Sequence, residues 1–112
     1  MLDNSYFMYS EDVDYCCRIA KEHFRMIYTP LSVIYHKISV STGGKDSPFS
    51  QYYRTRNDMI VIKKYANNKV KAFFYYLLRL LKRNIIGQFQ IKYTLNGIKA
   101  YLQGEQGKAE QE

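Results

Sequence analysis

The 112-residue chain contains no tryptophan, only two prolines and only two cysteines. The cysteines, Cys16 and Cys17, are adjacent, and adjacent residues are poorly placed for an ordinary disulfide. A disulfide scaffold and a cysteine zinc site are therefore excluded, and a reducing compartment is the simpler setting. No stretch reaches the roughly 18 consecutive apolar residues that a membrane span needs. The opening does not read as a cleavable signal peptide, because Asp3 and Asn4 come almost at once. Acid is scarce where base is dense: residues 51–101 hold 11 basic residues and one acidic residue.

The remainder of the composition is that of a single small globular domain, 46% hydrophobic and 24% charged, with 12 tyrosines among its aromatic residues. Tyrosine combines packing area with a hydrogen-bonding tip. The formal net charge is +7, with +10 carried by the 51–101 block and −3 by the remainder. Interleaved with aromatics, that block suits phosphates, nucleic acid or an anionic membrane face.

Aromatic residues 2–9 precede Ser10, which is expected to cap a helix starting at Glu11, with Glu11, Asp12 and Asp14 complementing its dipole. In that helix Val13, Cys16, Cys17, Ala20 and Phe24 share one apolar face, which reads as a core face. Residues 25–28 and 31–36 read as two short strands separated by Thr29 and Pro30. Residues 39–50, rich in Ser, Gly and Pro, read as a mobile loop. Three helical patterns follow, at about 49–65, 69–86 and 88–103, with Gly87 as a stop signal and Ile91, Leu95, Ile98 and Leu102 as a stripe in the last. Residues 104–112 are polar and read as a disordered tail. The expected fold class is α+β and helix-rich.

Four groups could carry chemistry. The acids at 11–14 serve either as helix capping or as a general base, since a carboxylate at a helix start beside a loop can reach a substrate hydroxyl. His36, at a strand end, is either structural or a metal ligand. Tyr52, Tyr53, Arg56 and Ile60 share a helical face, so Arg56 needs an anionic partner, supplied by a protein carboxylate or by a ligand. Residues 72–83 (AFFYYLLRLLKR) form either a core helix or an interfacial one.

In their order along the chain these pieces resemble the C-terminal half of a family-2 glycosyltransferase catalytic domain of the inverting, rhamnosyltransferase-like kind. The run from Asp3 to Asp14 resembles the family's "DexfFxYxEDvD". Met26 to Pro30 resembles the next strand and turn, and Val33 to His36 the "vxH" strand end. Ser41-Thr42-Gly43 and Tyr52 to Asn57 resemble the following loop and the "YYxxRN" helix, and Asn96-Gly97-Ile98 with Gly104 the closing glycine pattern.

The resemblance implies the C-terminal fragment of a GT-A α/β domain, with one helix, two short strands and then three helices. Residues 1–48 would form the acceptor-side half of the catalytic domain, 49–103 a basic helical region and 104–112 the tail. It implies a nucleotide-sugar donor, a saccharide or lipid-linked acceptor, and a divalent metal, Mg or Mn, in the full-length enzyme. Asp12 would be the catalytic base supported by Glu11, His36 a metal ligand, and Asp14, Tyr53, Arg56 and Asn57 substrate-binding residues.

The family's nucleotide-binding strands and paired metal-holding aspartates have no counterpart in these residues. The chain is therefore expected to be a fragment, inactive and metal-free alone. Unpaired strand edges would favour self-association. The expected location is cytoplasmic, peripheral on the inner face of the plasma membrane, with no nucleic-acid partner. The alternative is a small basic helical module that binds nucleic acid or an anionic membrane surface.

Overall fold

The structure, a computed structural model, describes residues 1–35 and 46–109. Four helices run in chain order: α1 (Glu11–Lys21), α2 (Pro48–Tyr65), α3 (Lys69–Ile85) and α4 (Ile91–Leu102). Their boundaries follow local chemistry. Ser47 caps α2 through its hydroxyl, which accepts from the Ser50 amide, and Pro48 occupies the first turn, where its missing N–H costs nothing. Asn68 caps α3 by accepting from the Lys71 amide at 2.9 Å. The α3 helix stops at Gly87, whose φ of 74° is left-handed and whose amide bonds back to Asn84.

The expected α+β class is corrected: among the described residues there is no strand ladder, and the regular structure is helical. Residues 25–28 and 31–35 run without backbone pairing, and Ile27, Tyr28, Leu31, Ile34 and Tyr35 are each more than 85% exposed. Strand propensity is realised only when a partner edge supplies the other half of the hydrogen bonds, and among the described residues none lies beside these. Residue 36 and residues 39–45 of the expected loop lie outside the described residues.

Helix α2 occupies the centre, packing chiefly against α4, and against α3 and α1 on its other sides. The α2–α4 approach is close at Gly97, where a Cβ would lie 2.7 Å from Thr55 Cβ and 2.8 Å from the Tyr52 carbonyl oxygen. Thr94, Gly97 and Ala100 form the buried side of α4, so its apolar residues Ile91, Leu95 and Leu102 face outward. A small apolar core of Met59, Tyr76, Leu80 and Phe89, flanked by Ile62, Phe73, Ile98 and Tyr101, joins α2 to α3 and α4.

The buried side of α2 is mostly polar: Ser50, Gln51, Thr55, Arg56 and Asn57 are all fully or almost fully enclosed. Burial of such groups is costly unless they are hydrogen-bonded, and most of their polar atoms find partners. Gln51, for example, donates to the Asp46 carbonyl at 2.8 Å and accepts from the Gln90 amide at 2.9 Å, joining the start of α2 to the start of α4.

The inward face of α1 is likewise polar. Asp14 points inward, while Val13, Cys16 and Phe24, expected in the core, are exposed and Cys17 is half-buried. The helix ends in a backbone cap in which the His23 amide bonds to Ala20 and the Phe24 amide to Ile19. Here His23, at φ 60°, holds the left-handed position that glycine usually fills. Residues 104–109, read from sequence as part of a tail, fold back over α2: the Gly107 amide donates to the Ser5 carbonyl at 2.7 Å, forming a bridge beside Tyr6.

Candidate functional site

The approach to α1 is a strained turn. Tyr9 and Ser10 are consecutive non-glycine residues with φ of 68° and 67°, a conformation costing about 1–2 kcal/mol per residue. Ser10 therefore does not cap α1 with its side chain. Its hydroxyl donates to Asp58 Oδ1 at 2.8 Å, across to α2.

Three further contacts hold the turn. Asn57 Nδ2 donates to the carbonyls of Met8 at 2.7 Å and Tyr9 at 3.0 Å, and the Tyr9 hydroxyl meets Ser50 Oγ at 2.7 Å. Asp58 Oδ2 in turn accepts from the Tyr76 hydroxyl of α3 at 3.1 Å. Burial, then the Asp58 carboxylate, pushes the Tyr76 phenol well above its usual range. Strain persists where the surroundings over-determine it, and such turns concentrate at working sites.

This clamp fixes the three acids of the first turn in different environments. Asp12 is exposed, and its Oδ1 accepts from the Val13 amide at 2.8 Å. Glu11 is half-buried, with Oε2 enclosed and without a hydrogen-bond partner among the described residues.

Asp14 is fully buried and both of its oxygens are engaged. Oδ1 accepts from the hydroxyls of Tyr65 at 2.8 Å and Tyr6 at 3.2 Å and from Lys64 Nζ at 3.3 Å, while Oδ2 accepts from Arg18 Nε at 2.9 Å. Burial opposes its charge, but the bonds from Tyr65, Lys64 and Tyr6 outweigh burial and hold the carboxyl below its ordinary range. Burial pushes the Tyr6 phenol up to about 12. Lys64 also binds Asp3 at 2.7 Å; its own burial works against the charge, yet Asp3, Tyr6 and Asp14 hold the ammonium above its usual value.

Arg56 is fully buried, and no carboxylate pairs with it among the described residues. Its Nε donates to Asn57 Oδ1 at 3.0 Å and its Nη2 to the Gly107 carbonyl at 2.7 Å, while Nη1 has no hydrogen-bond partner among the described residues. The guanidinium carbon lies 5.0 Å from the Tyr53 ring centroid and 5.8 Å from that of Tyr52, where ring faces substitute in part for an anion. Tyr53 is buried, and its hydroxyl accepts from the Ala109 amide at 2.9 Å. Tyr52 donates to Glu105 Oε2 at 2.8 Å, and burial followed by that carboxylate pushes its phenol up to about 12. Residues 105–109 thus form a strap across Tyr52, Tyr53 and Arg56. An open groove of about 820 Å³ runs beside the strap, lined by Tyr52, Asn96, Lys99, Glu105 and Lys108 among others.

The structure accordingly brings Glu11, Asp12, Asp14 and Asn57 together around one clamped turn and places Tyr53 and Arg56 beneath the strap. His36 lies outside the described residues. Among the described residues no three His, Cys, Asp or Glu side chains converge as a metal-binding group. The described side chains therefore do not by themselves fit the divalent metal that the resemblance implies.

The clamp also involves residues that sequence reasoning passed over: Ser10 as a cross-link, Asp58, Tyr65 and Lys64. Asp58 carried a readable signal, being the sole acid in the basic block 51–101. Comparison with protein-family models, curated proteins and solved structures returned no match.

Proposed function

We propose that this chain is the acceptor-side portion of an inverting glycosyltransferase that passes a sugar from a nucleotide-sugar donor to a saccharide or lipid-linked acceptor at the cytoplasmic face of the membrane. The observation that carries this reading is the exposed Asp12 carboxylate, seated on the first turn of α1 behind a strained turn that Asn57 and Asp58 hold from α2. A base must be free to accept a proton and fixed enough to meet the hydroxyl at one angle. The same residues carry the ordered sequence resemblance.

In the reaction, Asp12 takes the proton of the acceptor hydroxyl as its oxygen forms a bond to the anomeric carbon. The bond from that carbon to the nucleoside diphosphate breaks on the opposite side, inverting the configuration. Glu11 borders the base. Asn57 is a positioning residue acting through the Met8 and Tyr9 carbonyls, and Arg56 holds the strap that borders the groove. Donor binding and leaving-group stabilisation belong to residues other than those of this portion.

The isolated chain, mixed with nucleotide sugars and Mg or Mn, is expected to show no transfer; measurable turnover would overturn the expectation that this portion is inactive without a donor-binding half. In a protein that joins this chain to a donor-binding half, Asp12→Asn is expected to lower kcat by roughly 10²–10⁴-fold. Turnover retained in that variant would remove Asp12 from the role of base.

A further inference from the structure

Among the described residues, nothing packs against the outward side of α3. Val70, Phe74, Leu77, Leu78, Leu81 and Ile85 lie 45–82% exposed. Their spacing confines them to an arc of roughly 100° that runs the length of the helix. The buried residues Tyr76 and Leu80 lie on a different side, against the core, so this stripe is surplus to packing. On α4, Ile91, Leu95 and Leu102 make a second exposed apolar line, 56–74% accessible.

The charge around these stripes has one sign. Between Lys69 and Tyr101 there are seven basic residues and no acidic one. Lys71 and Lys82 border one edge of the α3 stripe, with Arg79 farther round the same side. A helix with aliphatic and aromatic residues on one side and Lys and Arg beside them is built to lie in a lipid interface. It is not built to cross one: no described helix is long and apolar enough to span a membrane.

We infer that the outward side of α3 docks on an anionic lipid bilayer, the apolar stripe entering the headgroup boundary and Lys71, Lys82 and Arg79 meeting acidic headgroups. Charge selects this occupant. A second copy of the chain would bring two surfaces of the same sign together, which is repulsive. A nucleic acid would match the charge but leave most of the stripe in water, since only Phe74 among its residues offers a stacking face. An anionic bilayer satisfies both halves of the surface. The inference stands on α3 and does not depend on the transfer reaction, although it would hold a lipid-linked acceptor close by.

The test is sedimentation of the intact purified chain with vesicles of phosphatidylcholine alone or enriched in phosphatidylglycerol. Binding is expected only with phosphatidylglycerol and should fall as salt rises. Lys71→Gln with Lys82→Gln is expected to weaken it by roughly 25-fold, from about 1 kcal/mol per base. Leu78→Ser with Leu81→Ser, both on exposed positions, is expected to weaken it at least about tenfold, with the far-UV circular dichroism of the native chain retained.

Equal binding to both vesicles, or binding unmoved by the leucine pair, overturns the inference. So does a lipid-free dimer that the leucine pair dissociates, which would assign the stripe to a second copy. Displacement from vesicles by an oligonucleotide whose own binding ignores the leucine pair would assign the charge to nucleic acid and overturn it as well. Failure of the Asp12→Asn kinetics leaves all these readings untouched, so the two proposals fail separately.

Discussion

Consider replacing Asp14 by alanine and, separately, Asp12 by asparagine. Two residues apart on one helical turn, they occupy opposite environments. Asp14→Ala strips the acceptor from the Tyr6 and Tyr65 hydroxyls and from the Lys64 and Arg18 cations. The two hydroxyl bonds to a buried carboxylate are worth about 1.5–3 kcal/mol each. The Lys64 and Arg18 side chains are 36% and 40% exposed, so each is counted as a surface pair at about 0.5 kcal/mol. Release of the desolvated carboxylate offsets part of the sum. The net cost comes to about 3 kcal/mol, at the lower edge of what breaking a buried ion pair costs. For a domain of this size that is a drop in Tm of roughly 10–20 °C.

Asp14→Asn, which keeps one acceptor oxygen, should cost about half as much. Asp12→Asn, on an exposed side chain, should stay within about 0.5 kcal/mol of the native chain. Urea titration followed by far-UV circular dichroism measures all three. A pH series on the same proteins checks the electrostatics. Because folding holds the Asp14 carboxyl below its ordinary value of 3.8, its stabilisation is complete above that pH and is lost as pH falls through the folded-state value. Asp3, held low first of all by Lys64, follows the same sign. Lys64, held above its ordinary 10.5, contributes fully below that pH and loses its contribution only in stronger alkali. Stability should therefore be level from about pH 5 to 10 and fall in acid, with a shallower acid slope in Asp14→Asn. If Asp14→Ala and Asp12→Asn unfold at the same urea concentration, the picture of Asp14 as a structural hub is refuted.

Two other substitutions probe the backbone. Gly97→Ala would drive a methyl group against Thr55 and the Tyr52 carbonyl. It should destabilise the chain by about 1–3 kcal/mol, read as a lower urea midpoint; an unchanged midpoint would mean α2 and α4 can move apart freely. His23→Gly relieves the left-handed cap of α1 and should raise stability by up to about 1 kcal/mol, visible as a Tm increase; a decrease would show that the imidazole makes a contact worth more than the strain.

Local sequence was a good guide to the helices of the second half. Ser47, Asn68 and Gly87 mark ends that their own side chains and dihedrals produce, so the predicted 49–65 and 69–86 helices lie within a residue of those observed. The acids of α1 were equally legible as a first turn. Their division of labour was not, because spacing puts Asp12 and Asp14 on the same short segment and cannot say which side meets Tyr65 and Lys64. Apolar periodicity misled in α1 and α4. Val13 and Cys16, and Ile91, Leu95 and Leu102, make good stripes that face outward, while Asp14, Thr94 and Gly97 face in. A buried polar network around Arg56 and Asn57 reverses the usual rule, and no local pattern announces one.

From sequence alone came the limits of α2 and α3, the cationic block and the clustering of acids at the start of α1, since each depends on neighbours along the chain. Tertiary structure alone decided that Asp14 is enclosed while Asp12 is open, and that residues 105–109 close over Arg56. Those outcomes rest on hydrogen bonds between residues some fifty positions apart, such as Tyr65 to Asp14 and Arg56 to Gly107, and the strength of a buried polar contact depends on which distant group arrives to complete it.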